Sequence, residues 1–194
     1  MPHILLATDI FGYTKAIETL KHRFESLGEV IHILDPYDAK QMNFHDEEQA
    51  YKSFNQLCGL ESYAKACMQA LDACSNEEVV IIGFSMGASA FWKALDGCEN
   101  AKIKHFFGFY SSQIRHCLDA NVLVPCTLIF PQYEKHFDVD EVITKLVKHA
   151  NITCLKTAYL HGFMNPLSAH YDAQGYATYY QFLENIFHTM RQES

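Results

Sequence analysis

Val79-Val80-Ile81-Ile82-Gly83-Phe84-Ser85-Met86-Gly87-Ala88-Ser89-Ala90 is the stretch on which the reading of this chain turns. Residues 79–83 are a short, apolar, β-branched run, which suits a central strand buried on both faces. From Met86 to about residue 95 the pattern is helical, so Ser85 stands at a direct strand-to-helix turn. Gly83 and Gly87 flank it two positions away on either side. A turn this tight forces its central residue into strained backbone angles, and only glycine or a similarly small residue avoids a clash at the flanking positions. The helix points its N-terminus, with its positive dipole and free N–H groups, at the serine, where an oxyanion would be stabilised. A Gly-rich turn with a capping serine would look similar, but the placement between strand and helix favours Ser85 as a nucleophile.

Outward from this turn, apolar runs and helical patterns alternate, as in successive βαβ units. Residues 3–8, 30–34, 104–110, 123–130 and 152–156 read as the other strands. A helix opens after Thr14, carries Ile17, Leu20, Phe24 and Leu27 on one stripe, and stops at Gly28. Leu60, Tyr63, Ala64, Cys67, Leu71 and Cys74 keep helical spacing. Residues 138–149 predict a helix with Val142, Ile143, Leu146 and Val147 inward, and residues 172–191 a long terminal helix. Residues 36–59 are polar, aromatic and weakly periodic, and are expected to form a lid or pocket loop. The expected fold class is α/β: a three-layer domain over residues 1–194 with a mostly parallel six-stranded sheet in the order 2-1-3-4-5-6.

Composition narrows the function classes. The 194 residues are 49% hydrophobic, enough for a large core, and carry a formal net charge of -8. An acidic chain repels phosphate backbones and anionic head groups, so neither nucleic acid nor membrane is an expected partner. No run approaches the ~20 apolar residues needed to cross a bilayer. The seven cysteines are scattered without a CxxC pair, the wrong spacing for a disulfide framework or a zinc knuckle. With no secretory pattern at Met1-Pro2-His3-Ile4, a cytoplasmic location is expected. No motif specifies an oligomeric state.

A nucleophilic serine needs a base, and the base an orienting carboxylate, in the chain order Ser, acid, His for this kind of turn. His161, in the turn-rich segment Leu160-His161-Gly162-Phe163-Met164-Asn165-Pro166 after the last strand, is the expected base, with His170 its nearest rival. Two carboxylates follow strand five. Asp138 opens a helix with Glu141 three residues later, a capping-box pattern that explains it without catalysis. Glu134 has no such explanation and is the expected acid, with Asp138 the alternative. The order 2-1-3-4-5-6 reverses between strands one and three, and ligands bind at such switch points. The loop Thr8-Asp9-Ile10-Phe11-Gly12 emerges there, so the backbone N–H groups of Ile10 and Met86 are the expected oxyanion donors.

Ile4-Leu5-Leu6-Ala7-Thr8-Asp9-Ile10-Phe11-Gly12, Asp35-Pro36-Tyr37, the Ser85 turn, His161-Gly162-Phe163 and Tyr171-Asp172 together resemble the dienelactone hydrolase family. The resemblance implies an α/β-hydrolase core and cofactor-free ester or lactone hydrolysis by a Ser or Cys nucleophile with His and an acid. In the strict dienelactone hydrolases the nucleophile is Cys, where this chain has Ser85, and arginines fix a substrate carboxylate. Of Arg23, Arg115 and Arg191, only Arg115 follows a core strand. The expected substrate is therefore a generic small carboxylic ester, thioester or lactone, with Phe11 and Arg115 as substrate-binding candidates, no cofactor and no metal. A non-hydrolytic ligand-binding or interaction protein on the same fold is the alternative. A metal site built on His45-Asp46-Glu47-Glu48 is disfavoured, because that run reads as a solvated helix start.

Overall fold

The computed structural model describes residues 2–192. Six strands, β1 (His3–Ala7), β2 (Val30–Leu34), β3 (Val79–Phe84), β4 (Ile103–Phe109), β5 (Cys126–Phe130) and β6 (Ile152–Lys156), form one all-parallel sheet in the order β2-β1-β3-β4-β5-β6. Six helices connect and cover them: α1 (Lys15–Ser26), α2 (Glu47–Leu57), α3 (Gly59–Ala73), α4 (Met86–Ala94), α5 (Val139–Leu146) and α6 (Ala173–Gln192).

The pleat sorts the core into two layers. Leu5, Ala7, Val79 and Ile81 point to one face, where α2, α3, α4 and α5 bury Phe54, Tyr63, Phe91 and Val142. Ile4, Leu6, Val80 and Ile82 point to the other, against Leu20 and Phe24 of α1 and Leu183 and Phe187 of α6. β3 is buried at every position, as its uninterrupted apolar run requires.

Four expectations change. Residues 36–59 hold a helix as well as a loop, because Ala50 and Phe54 make an apolar stripe on α2 too short to stand out in a polar segment. Its N-cap is Asp46, whose side chain accepts the Gln49 N–H at 2.8 Å. β5 begins at Cys126, not at residue 123, since Pro125 cannot donate to a ladder and Leu123 is exposed. α5 ends at Leu146, so Val147 points out, 52% exposed. Tyr110 leaves β4 and takes a positive φ of 39°.

Candidate active site

The turn after β3 delivers the geometry that its glycines permit. Ser85 has φ 49° and ψ -111°, strained backbone for a residue with a Cβ. A Cβ on Gly83 would lie 2.5 Å from Ala88 Cα, and one on Gly87 would strike the carbonyl oxygens of Ala7 and Thr8. Helix α4 thus packs directly on the end of β1, bringing Ser85 beside the loop that leaves it. The Ser85 N–H bonds Phe109 O at 2.9 Å, tying the turn to β4.

Three side chains from three loops then meet in line. Ser85 Oγ lies 2.9 Å from His161 Nε2, and His161 Nδ1 lies 2.6 Å from Glu134 Oε1. Glu134 hangs from the loop after β5, closed by a bridge to Phe137, and His161 from the loop after β6. Asp138 instead caps α5, its carboxylate accepting the N–H of Asp140 at 2.8 Å and of Glu141 at 3.3 Å. His170 is exposed, and its Nδ1 lies 3.3 Å from the backbone oxygen of His161. The fold thus brings Ser85, His161 and Glu134 together and separates the two carboxylates by what they contact.

The loop after β1 is held by its own polar groups. Gly12 N–H bonds Asp9 O at 3.1 Å, Phe11 N–H bonds Asp9 Oδ1 at 3.0 Å, and Tyr37 donates its hydroxyl to Ile10 O at 2.7 Å. Gly12, at φ 72°, lies so close to the Tyr37 ring that a Cβ would come within 2.5 Å of it. Among the described residues, the N–H groups of Ile10 and Met86 make no internal hydrogen bond, and both residues line the cleft beside Ser85. Such an arrangement can take up a proton from the serine and receive an oxyanion at two backbone donors.

Several neighbours carried no readable signal. Asp9 is buried, and its second oxygen accepts Asn165 Nδ2 at 2.7 Å, which ties the β1 loop to the His161 loop. Burial pushes the Asp9 carboxyl above its ordinary pKa against the pull of Asn165 and Phe11. Tyr110 lies with its ring centroid 5.0 Å from that of His161 and is fully enclosed, which drives its phenol well above the ordinary value. Ser89 Oγ bonds Ser85 O and Ser111 Oγ, both at 3.0 Å, bracing the turn from beneath. Asp-Ile-Phe-Gly could have flagged Asp9 as a turn former, but its partner is 156 residues away.

The cleft over Ser85 has a volume of about 660 Å³. α2 contributes Glu47, Glu48 and Tyr51 to its wall, and the 3₁₀ turn Ser112–His116 contributes Arg115. Arg115 is half-buried, bonded to Ser112 O at 2.5 Å and stacked over Phe137 at 5.2 Å. Phe11 lies on the far side of the β1 loop, between a narrow crevice that touches Ser85 and a neighbouring cavity of about 440 Å³ lined also by Met42 and Phe44. Among the described residues, the one group of three His, Cys or acidic side chains with converging ligand atoms lies elsewhere, at His3, His32 and Cys74.

Comparison with known proteins agrees with this architecture. YczH, an uncharacterized protein of Bacillus subtilis (strain 168), is 27% identical over 176 residues, covering 88% of this chain and 85% of its own. P91, described as a dienelactone hydrolase-like promiscuous phosphotriesterase from metagenomic libraries, superposes with a TM-score of 0.72 at 16% identity, over 97% of this chain and 86% of its own. Mouse alpha/beta hydrolase domain-containing protein 10 does so with a TM-score of 0.66 at 10% identity, over 98% and 91%. The likenesses to solved structures show the α/β-hydrolase fold. The sequence model of one family matches residues 1–191, and on that match the chain belongs to the dienelactone hydrolase family.

Proposed function

We propose that the protein is a serine hydrolase that cleaves a small carboxylic ester, thioester or lactone through an acyl-enzyme. The observation that carries this reading is the continuous hydrogen-bonded line from Ser85 Oγ through His161 to Glu134 at a strained strand-to-helix turn. His161 Nε2 takes the serine proton as Oγ attacks the carbonyl, then returns it to the leaving group. Glu134 holds the proton on Nδ1, so that Nε2 presents its lone pair to the serine. The N–H groups of Ile10 and Met86 receive the developing oxyanion. Water, activated by the same imidazole, releases the acyl group.

Arg115 in the cleft wall is a candidate anchor for a substrate carboxylate, and Phe11 a candidate apolar contact. The cleft needs no cofactor or metal for this chemistry. Seven free cysteines fit a reducing compartment, which supports a cytoplasmic location. Among the described residues no helix is long and apolar enough to cross a membrane.

The test is a series of p-nitrophenyl esters of increasing acyl length, run on the wild type and Ser85→Ala, with mass mapping after fluorophosphonate labelling. The reading expects turnover of short esters, loss of turnover in Ser85→Ala, and label on Ser85 alone. A folded protein that takes no label at any pH would instead be a non-hydrolytic member of the fold.

A further inference from the structure

At the opposite end of the sheet from the cleft, three side chains with metal-binding atoms converge. His3 opens β1, His32 lies in the middle of β2, and Cys74 immediately follows α3. Register and pleat bring them together. His3 stands opposite Val30, and Leu5 opposite His32, in the parallel β1–β2 pair. Side chains alternate along a strand, so His3, Leu5 and His32 share one face. Leu5 belongs to the core layer that α3 fills with Tyr63, Cys67 and Leu71. Cys74, one helical turn beyond Leu71, ends that same stripe.

His32 Nε2 lies 3.4 Å from His3 Nδ1, and one ligand atom from each of the three residues lies within 4.8 Å of the others. Two nitrogens bound to zinc at about 2.05 Å and held at a tetrahedral angle are about 3.3 Å apart. The imidazole pair already stands at the spacing that the ion would impose. A hydrogen bond between two neutral imidazoles holds that pair, and the Cys74 sulfur, packed at the edge of the core, completes a set of three donors around one point.

We propose that His3, His32 and Cys74 form a site for a single zinc ion, with water in the fourth position. Two imidazole nitrogens and a thiolate are a borderline-soft donor set, suited to zinc and not to magnesium or calcium. Burial, and then the Glu77 carboxylate, hold the Cys74 thiol above its ordinary pKa. A dication at the site opposes both effects and is itself favoured by the negative charge of Glu77. The ion would join edge strand β2, its neighbour β1 and the end of α3. Its effect is on the stability of that corner, since Ser85 emerges from the other end of β3.

The experiment uses the full chain stripped with a chelator and titrated with cobalt(II), then zinc. One cobalt per chain is expected, with a thiolate-to-cobalt charge-transfer band in the near ultraviolet and the intense visible bands of a tetrahedral ion, both abolished by zinc. Zinc should raise the melting temperature in a concentration-dependent way. His32→Ala, at an exposed position, should weaken zinc binding by about 100-fold or more, since losing even an outer partner of a ligand costs about 10–100-fold. Cys74→Ser should lose the charge-transfer band while Cys58→Ser keeps it, with circular dichroism verifying that all three variants are folded. The proposal is overturned if cobalt binds without a thiolate band, if the band survives in Cys74→Ser, or if His32→Ala and wild type bind zinc equally.

Discussion

Glu134→Gln keeps the size and shape of the side chain, removes its charge and replaces one acceptor oxygen with an N–H donor. Glu134 and His161 have side chains 11% and 22% exposed, and their contact is 2.6 Å long. In the proposed acylation the imidazole would become imidazolium, so the carboxylate would matter most in the transition state. Opposite charges about 4 Å apart attract by about 4 kcal/mol at the effective dielectric of about 20 suited to such sites. At about 1.4 kcal/mol per factor of ten, that corresponds to about 10³ in kcat. Glutamine can also donate its own N–H to Nδ1, which places the ring proton on Nε2 and disables the base, carrying the loss toward ~10⁴.

Asp138 supplies the contrast, because its carboxylate is engaged by the first turn of α5. Asp138→Ala should cost about 1 kcal/mol of stability, and Asp138→Asn almost nothing, with kcat near normal in both. Hydrolysis of a short p-nitrophenyl ester and a urea melt on the three variants separate the kinetic effect from the thermodynamic one. A kcat within tenfold of wild type in Glu134→Gln would refute the reasoning, the more so if Asp138→Asn were inactive.

Gly87→Ala should destabilise the protein by at least about 3 kcal/mol or prevent soluble expression, because its Cβ meets backbone carbonyls that cannot move without displacing β1; a thermal melt within a few degrees of wild type would contradict the packing argument. His105, half-buried, stacked on Phe107 at 4.3 Å and 2.9 Å from Thr127 Oγ1, has its pKa lowered by burial from 6.5 to about 4. Its folded pKa lies below the unfolded one, so its contribution is present above pH 6.5 and lost as pH falls toward 4, by about 3 kcal/mol at most. Urea melts of His105→Gln across that window should fall less steeply than wild type by up to one proton's worth of slope, and parallel curves would count against the assignment. Arg115→Ala should raise KM for esters with an acidic acyl group and leave neutral esters unchanged; equal effects on both would remove Arg115 from substrate recognition.

Local sequence determined a large part of this protein. The unbroken apolar run of β3, the glycines around Ser85 and the strand–helix alternation specify a buried parallel strand feeding a helix, because hydrophobic periodicity and glycine's conformational freedom act over a few neighbouring residues. Thr14 as the cap of α1 and Asp138 as the cap of α5 were legible for the same reason. Segment 36–59 was not, since the stripe of α2 gains its meaning only against Tyr63 and the β1 loop, with Phe54 and Tyr63 in edge contact at 6.1 Å. Sequence placed Glu134 after β5 and His161 after β6, but the hydrogen bond between them depends on how two loops 27 residues apart close over one sheet end. The Asp9–Asn165 tie spans 156 residues, and Tyr110's position against His161 follows from a backbone turn that leaves β4. The meeting of His3, His32 and Cys74 needs strand register, pleat and the pitch of α3 together. Distances across an α/β sheet are set by parallel pairing between distant segments, and no short-range pattern records them.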